Sequence, residues 1–460
     1  MQSDGNEKSK KHDLLQEAAG RALKYVACIG DRRVAPAARD VDRLAEFREP
    51  FPSSSSDPMQ ILKTLDEIGS PATLATTGGR YFGFVIGGTL PASLAANWLA
   101  GAWDQNAGLR VMSPVAAELE EVALGWVCEA LGLPERCEGG LVTCATMANF
   151  TALAVARHAL LARAGWNVED DGMFGAPPID VVVGEEVHAS LLKALSLAGF
   201  GKNRLTRVEV DDQGRMRADK LPLLNERTIL CLQAGNVNTG AFDPAAEICA
   251  RAHAQGAWVH VDGAFGLWAA ASPKYRHLTE GFELADSWAT DAHKWPNVNY
   301  DSGIVLVKEG MALRAAMTMT AAYLQAGALR EPMYHTPEAS RRARGVELWA
   351  ALKSMGCDGL RSLIERTCAY AQRFAEGFRE AGFEVLNDVV INQVLVSFGS
   401  SEATQRVIRG VQEDGTCWCG GTTWQGKSAM RASVSSWATT QEDVELSLKA
   451  IVRVARACLG

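Results

Sequence analysis

From about residue 140 to 310 the chain repeats one pattern: a short apolar, β-branched run, a polar break, then an amphipathic segment. "IDVVVGEE", "HASLLKALSLAGF", "RLTRVEV", "TILCLQAG", "AAEICARAHAQG" and "AWVHVDGA" follow one another in that order. Strands apolar on both faces and alternating with helices predict a mainly parallel sheet covered on both sides. Ligands of such sheets gather beyond the carboxyl ends of the strands. That rule puts the tips Glu185 to His188, Ala234 to Thr239 and Asp262 to Ala264 on one rim.

The remaining segments attach to this core. Residues 1–75 read as a tail and a helical arm: "MQSDGNEKSKKHD" is polar enough to be disordered, "LLQEAAGRALKYVACIG" has helical spacing, and "REPFPSSSSDPMQ" is a strap. Residues 76–345 form the large domain and 346–460 a smaller α/β domain. Two or more cores are expected of 460 residues.

Bulk properties exclude several classes. Forty-six basic against 54 acidic residues give a net charge of −8, with no Lys/Arg block to grip nucleic acid or a membrane surface. Apolar runs such as "LPASLAANWLAGAW" are too short to span a bilayer, and the start of the chain lacks the apolar centre of a signal peptide. Eleven cysteines, an odd number, predict reduced thiols and a cytoplasmic protein. Cys417 and Cys419 could be half a metal site, but nothing nearby completes it; we read them as strand thiols and expect no metal.

Four stretches on the rim carry chemistry. In "GLVTCATMANF", Thr143, Cys144, Ala145 and Thr146 open a helix whose free N–H groups favour a phosphate, although a plain Thr N-cap has the same look. His188 of "EEVHAS" stands between a strand and a helix; a lone histidine there is more often a helix-terminal or satisfied core residue than a functional one. Asp262 of "WVHVDGAFG" ends an apolar strand, where a carboxylate is costly without a cation, unless it merely caps a turn. Lys294 of "TDAHKWPNVNYDSG" lies between two core segments, 32 residues after Asp262. An amine that attacks a carbonyl needs a neutral fraction, which partial burial beside His293 would supply. Together the rim offers a phosphate cradle, a ring for stacking, a buried acid and a Schiff-base lysine, the set that pyridoxal 5′-phosphate requires.

With these residues in view, the sequence resembles the group II pyridoxal-phosphate-dependent amino acid decarboxylases, whose members act on aromatic amino acids, histidine, glutamate or cysteine sulfinate. These belong to the fold-type I, aspartate aminotransferase-like superfamily. The resemblance runs through "YFGFVIGGTLPASLAA", "VHASLLKAL", "HVDGAFG", "DAHKWPNVNYDSG", "SRRARGVELWAAL" and "INQVLVSF", and covers nearly the whole chain. It implies an α/β fold with a mainly parallel seven-stranded sheet and a homodimer with active sites near the interface.

Residue by residue, the resemblance implies Lys294 as the covalent holder of the cofactor aldehyde and Asp262 as partner of the pyridine nitrogen. His188 stacks on the ring and Ala264 presses on its other face. Cys144, Ala145, Thr146 and His293 contact the phosphate, and Arg344 stands near the entrance. Departures are Cys144-Ala145 and Met147 in the phosphate loop, and Asn236 and Asn238 where threonines are usual; the Asn236 amide can still bond the cofactor or a carboxylate. Tyr81, Phe82, Gly87 and Gly88 are expected to line the substrate pocket, with small residues leaving room for an aromatic amino acid. The family uses a loop tyrosine to reprotonate Cα, and Tyr334 of "AAYLQAGALREPMYHTPEAS", which also holds Tyr323, is the candidate. The implied reaction is decarboxylation of an L-amino acid to amine and CO2. Rival readings are an aldehyde-forming oxidative decarboxylase, a carbon–carbon lyase, an aminotransferase, or a non-catalytic scaffold on the same fold.

Overall fold

A computed structural model describes residues 2–319 and 329–460, with side chains from residue 11 onward. Its large domain is built on seven strands: β1 (Glu138–Val142), β2 (Asp180–Gly184), β3 (Thr206–Val208), β4 (Thr228–Gln233), β5 (Trp258–Asp262), β6 (Ser287–Asp291) and β7 (Gly303–Val307). They lie in the order β1-β7-β6-β5-β4-β2-β3. Only β7 runs against its neighbours. The short connection 292–302 explains this, since it is too brief for the crossover that a parallel return requires.

The strands are buried on both faces, as their apolar runs demand. Val181, Val183, Ile229, Cys231, Val305 and Val307 pack beneath the helices at 145–163 and 189–197. Their neighbours Val182, Leu230, Leu232, Val259, Val261, Ile304 and Leu306 join the core on the opposite face. The alternation is the period-2 placement of side chains along each strand.

The principal helices are α1 (Gln2–Ala27), α2 (Pro91–Trp103), α3 (Pro114–Ala130), α4 (Ala145–Arg163), α5 (Ala189–Leu197), α6 (Ala245–Ala254), α7 (Arg344–Glu380), α8 (Ser401–Asp414) and α9 (Gln441–Leu459). Their starts are written in the sequence. Ser113 accepts the Ala116 N–H with Pro114 at the first helical position, and Thr440 forms a capping box with Asp443.

The amino-terminal segment departs from expectation: "QSDGNEKSKKHD" is helical and continuous with the arm. Its Glu, Lys and Gln residues are good helix formers, so polarity did not exclude a helix. α1 leaves Leu15, Leu23 and Val26 exposed.

The smaller unit holds β8 (Glu384–Val385), β9 (Gln393–Ser397), β10 (Gly420–Trp424) and β11 (Lys427–Ser433), an antiparallel sheet in the order β10-β11-β9-β8. α7 bridges the two units. Its side chains as far as Cys368 belong to the large core, while those from Ala371 onward join Val394, Val396, Met430 and Ile451. α7 is broken at Gly356 (φ 58°), and position 345, the boundary expected from sequence, lies in its first half, which packs in the large core; the change of core comes later, between Cys368 and Ala371. No helix among the described residues is long and apolar enough to cross a membrane.

Candidate active site

The carboxyl ends of β4, β5 and β6 bring Gln233, Asp262 and Asp291 to one rim, and β7 begins there opposite Asp291. β1 ends beside β7, with Val142 paired to Gly303. A Cβ at Gly303 would lie 2.5 Å from the Cys144 backbone, so glycine is what allows α4 to start against the sheet.

Cys144 is the N-cap of α4 but makes no side-chain cap bond. Instead Asp291 reaches across from β6 and accepts the Ala145 N–H at 2.6 Å. The other Asp291 oxygen lies 3.2 Å from Lys294 Nζ. His293 Nε2 is 3.6 Å from the first, and its Nδ1 accepts the Ser302 N–H. Thus the helix N-terminus read as an anion cradle holds an anionic group at its first residue, with two basic side chains beside it. Thr146 follows as the second residue of α4.

Asp262 is buried, and burial holds its carboxyl above the usual carboxylate range; the nearby His188 and Lys294 cations work against this. Ala264 donates its N–H to Asp262 and accepts the Asp291 N–H. His188 caps α5, taking the Ser190 N–H on Nδ1 at 3.2 Å. This capping ring also lies near Asp262, Lys294 and Arg431; burial lowers its basicity most.

The stretch after the lysine is a clamp. Asn297 has φ of 58°, a region that asparagine tolerates better than most residues. Its Nδ2 donates to the Trp295 and Ser435 carbonyls, and its Oδ1 accepts the N–H groups of Gly88 and Trp437. One amide so joins the lysine loop to the Gly87-Gly88 turn and to the smaller domain. Tyr300 stacks on His293 with ring centroids 4.3 Å apart.

Several expected site residues sit elsewhere or do other work. Gly87 and Gly88 do not leave open space: a Cβ at Gly87 would overlap the Lys294 carbonyl, and one at Gly88 would lie 2.7 Å from Ser436 Oγ. Phe82 is wholly buried against Phe374 in the smaller core. Tyr81 is also buried and stacks on Trp418 at 5.1 Å, while Phe84 beside the same tryptophan is exposed. Asn236 uses its amide within its own turn, bonding Gln233, Asn238 and Thr239. Arg344 is buried and ion-paired with Asp301.

Tyr334 is not brought to the rim. Arg330 and Arg341 both pair with buried Glu120 of α3 and donate to the Gly139 and Leu141 carbonyls, which straps this segment along β1. The adjacent His335 bonds Glu138 at the opening of β1, the end of the sheet away from Lys294. Tyr323 lies outside the described residues.

The sequence reading missed Asp291 and Arg431. Arg431 projects from β11, donates to the Val237 carbonyl at 3.0 Å, and has no carboxylate partner among the described residues. Burial lowers its pKa to about 10. An arginine inside the strand "AMRAS" was the available signal, because an arginine is rarely buried unless paired.

Comparison with known proteins accords with this geometry. The conserved domain of pyridoxal-dependent decarboxylases matches residues 50–399. The chain belongs to that family. Among relatives of this decarboxylase, the aromatic-L-amino-acid decarboxylase of Drosophila lebanonensis is 30% identical over 383 residues, 77% of this chain and 93% of that protein. Phenylacetaldehyde synthase of Arabidopsis thaliana is 27% identical over 372 residues, 74% of each. The structure of Oryza sativa TDC with PLP and tryptamine superposes with a TM-score of 0.90 at 22% identity, covering 98% of this chain and 99% of that one. The fold and the use of pyridoxal 5′-phosphate follow from the family.

Proposed function

We propose that this pyridoxal-phosphate-dependent decarboxylase removes CO2 from an aromatic L-amino acid and releases the amine. The observation that carries the reading is the convergence of Lys294, buried Asp262, His188 and unpaired Arg431 around one rim. These residues fit the cofactor: an anion-holding helix start for its phosphate, a lysine for its aldehyde, and a buried acid for its ring nitrogen. Bound there, pyridoxal 5′-phosphate supplies a protonated ring that takes up the electron pair left when CO2 departs.

The chain's own residues do the rest. Lys294 holds the cofactor aldehyde, and Asp262 keeps a proton on the ring nitrogen. Thr146, His293 and the N–H groups of the first turn of α4 that Asp291 leaves free would hold the phosphate. His188 and Ala264 would bound the space that the cofactor's ring takes up. Arg431 receives the substrate carboxylate and fixes the orientation of the bond to be broken. The ring of Tyr300, stacked on His293 beside Lys294, favours a substrate with a ring over one with a second carboxylate.

The exposed apolar residues Leu15, Leu23 and Val26 of α1, with Trp98, Leu99 and Trp103 of α2, favour a homodimer that covers them. Sedimentation should give twice the chain mass.

Similarity to an aldehyde synthase keeps a second reading in view: oxidative decarboxylation, in which dioxygen and water convert the amino acid to aldehyde, ammonia and CO2 with hydrogen peroxide as the reduced product. Incubating the holoenzyme with each of the twenty amino acids while measuring CO2, amine and aldehyde separates the two. Amine in step with CO2 from aromatic substrates supports the proposal. Aldehyde in place of amine, or turnover confined to acidic substrates, overturns it.

A further inference from the structure

The sequence "WVHVD" puts Trp258, His260 and Asp262 on one face of β5, the face that α4 covers. Beneath Asp262 these residues form a buried chain of polar contacts with Ser287 of β6 and Asn149 of α4. Trp258 Nε1 donates to Ser287 Oγ at 2.9 Å, Ser287 Oγ lies 3.0 Å from His260 Nδ1, and His260 Nε2 lies 2.8 Å from Asn149 Oδ1. Every member is buried.

Donor chemistry gives this chain one direction. An amide oxygen can only accept, so with Asn149 Oδ1 at Nε2 the neutral His260 ring leaves Nδ1 to accept the Ser287 hydroxyl proton, while the serine oxygen accepts the indole N–H. His260 Nε2 then carries the ring proton and donates it to the Asn149 carbonyl oxygen. Burial keeps this imidazole neutral, pushing it down to about 3. With its oxygen committed to His260, the Asn149 amide turns Nδ2 to the side of Asp262, near enough to lower that carboxyl, and Nδ2 is buried with no hydrogen-bond partner. The reverse orientation would set an amide oxygen against that carboxylate.

We infer that Asn149 is a positioning residue for the reaction, aligned by His260, Ser287 and Trp258 so that its amide donates to Asp262 and keeps that carboxylate ionised and in place. The inference rests on Asp262 partnering the cofactor's ring nitrogen. Burial favours a protonated Asp262, which could not hold a proton on the ring; a directed donor works against burial, alongside His188 and Lys294. His260 acts here only as a neutral donor, so its ring needs a fixed tautomer rather than a charge.

The test compares Asn149→Ala, His260→Phe, His260→Gln and Asp262→Ala as holoenzymes. Two quantities are read: the pH dependence of the bound cofactor's visible absorbance, and kcat apart from KM. Loss of a hydrogen bond to a charged group predicts that Asn149→Ala and His260→Phe lower kcat about ten- to a hundredfold, with KM little changed, and displace the absorbance titration. Glutamine offers a donor and an acceptor in similar places, so His260→Gln should recover most of what phenylalanine loses. An Asn149→Ala enzyme with the wild-type titration and kcat overturns the inference. If Asp262→Ala itself leaves the absorbance unchanged, the role given to Asp262 fails instead. Should the variants not fold, histidine-selective 15N spectra of the wild type decide. His260 must remain a neutral Nε2–H imidazole across about pH 5 to 8; an Nδ1–H tautomer or an imidazolium overturns the inference.

Discussion

Asp291 Oδ2 lies 3.2 Å from Lys294 Nζ while Asp291 Oδ1 accepts the N–H of Ala145, so a single carboxylate from β6 joins the reactive amine to the start of α4. Removing it leaves a buried N–H and an ammonium without their acceptor. Asp291→Ala should cost about 1–3 kcal/mol in unfolding free energy. Asp291→Asn should cost less, because its amide oxygen still accepts from Ala145. Denaturant titration of the three proteins ranks them.

Arg431 has only neutral partners, which leaves its charge to be matched by a ligand. Arg431→Met should lower kcat/KM for the best substrate about ten- to a hundredfold, the range for a hydrogen bond to a charged group. Steady-state kinetics measure it, and a substrate amine lacking the carboxylate should bind both proteins alike.

Gly87 and Gly101 make opposite predictions for the same substitution. A Cβ at Gly87 overlaps the Lys294 carbonyl, so Gly87→Ala should displace the lysine loop and lower cofactor occupancy, with a cost of about 1–3 kcal/mol. At Gly101, in α2, a Cβ meets nothing within 4 Å. There alanine should stabilise by about 0.4–1 kcal/mol. Thermal melts and cofactor absorbance check both.

Hydrogen bonding from His335 lowers the Glu138 carboxyl to about 2, with Arg314 adding to the effect and partial burial opposing it. A carboxylate depressed in the fold contributes stability above its unfolded pKa of 4.5 and loses that contribution as pH falls toward about 2. Glu138→Gln should flatten the acid limb of the stability curve between those values. Unfolding at a series of pH values tests this, and no change in slope would remove Glu138 as a source.

Much of this molecule was legible because its signals are local and repeated. The strand–helix alternation gave the sheet, and "HVDGAFG" and "DAHKW" marked Asp262 and Lys294 at strand ends. Pocket residues were less legible because burial depends on distant partners. Phe82 looks like a cleft aromatic until Phe374, from the other core, closes over it. Gly87 and Gly88 look like spare room, yet their lack of side chains lets the lysine loop approach. Tyr334 lies near the right segment in sequence, but the Glu120 ion pairs fix that segment at the far edge. Arg431 comes from a strand more than a hundred residues past the lysine, and only the docking of two domains brings it to the rim.

The central claim is that Lys294 covalently holds the cofactor for decarboxylation. Borohydride reduction of the holoenzyme, followed by peptide mass spectrometry, tests it most directly. The account predicts the reduced cofactor on the peptide containing Lys294, and neither adduct nor CO2 release from the Lys294→Ala protein. An adduct on a different lysine, or CO2 release that survives Lys294→Ala, would contradict it.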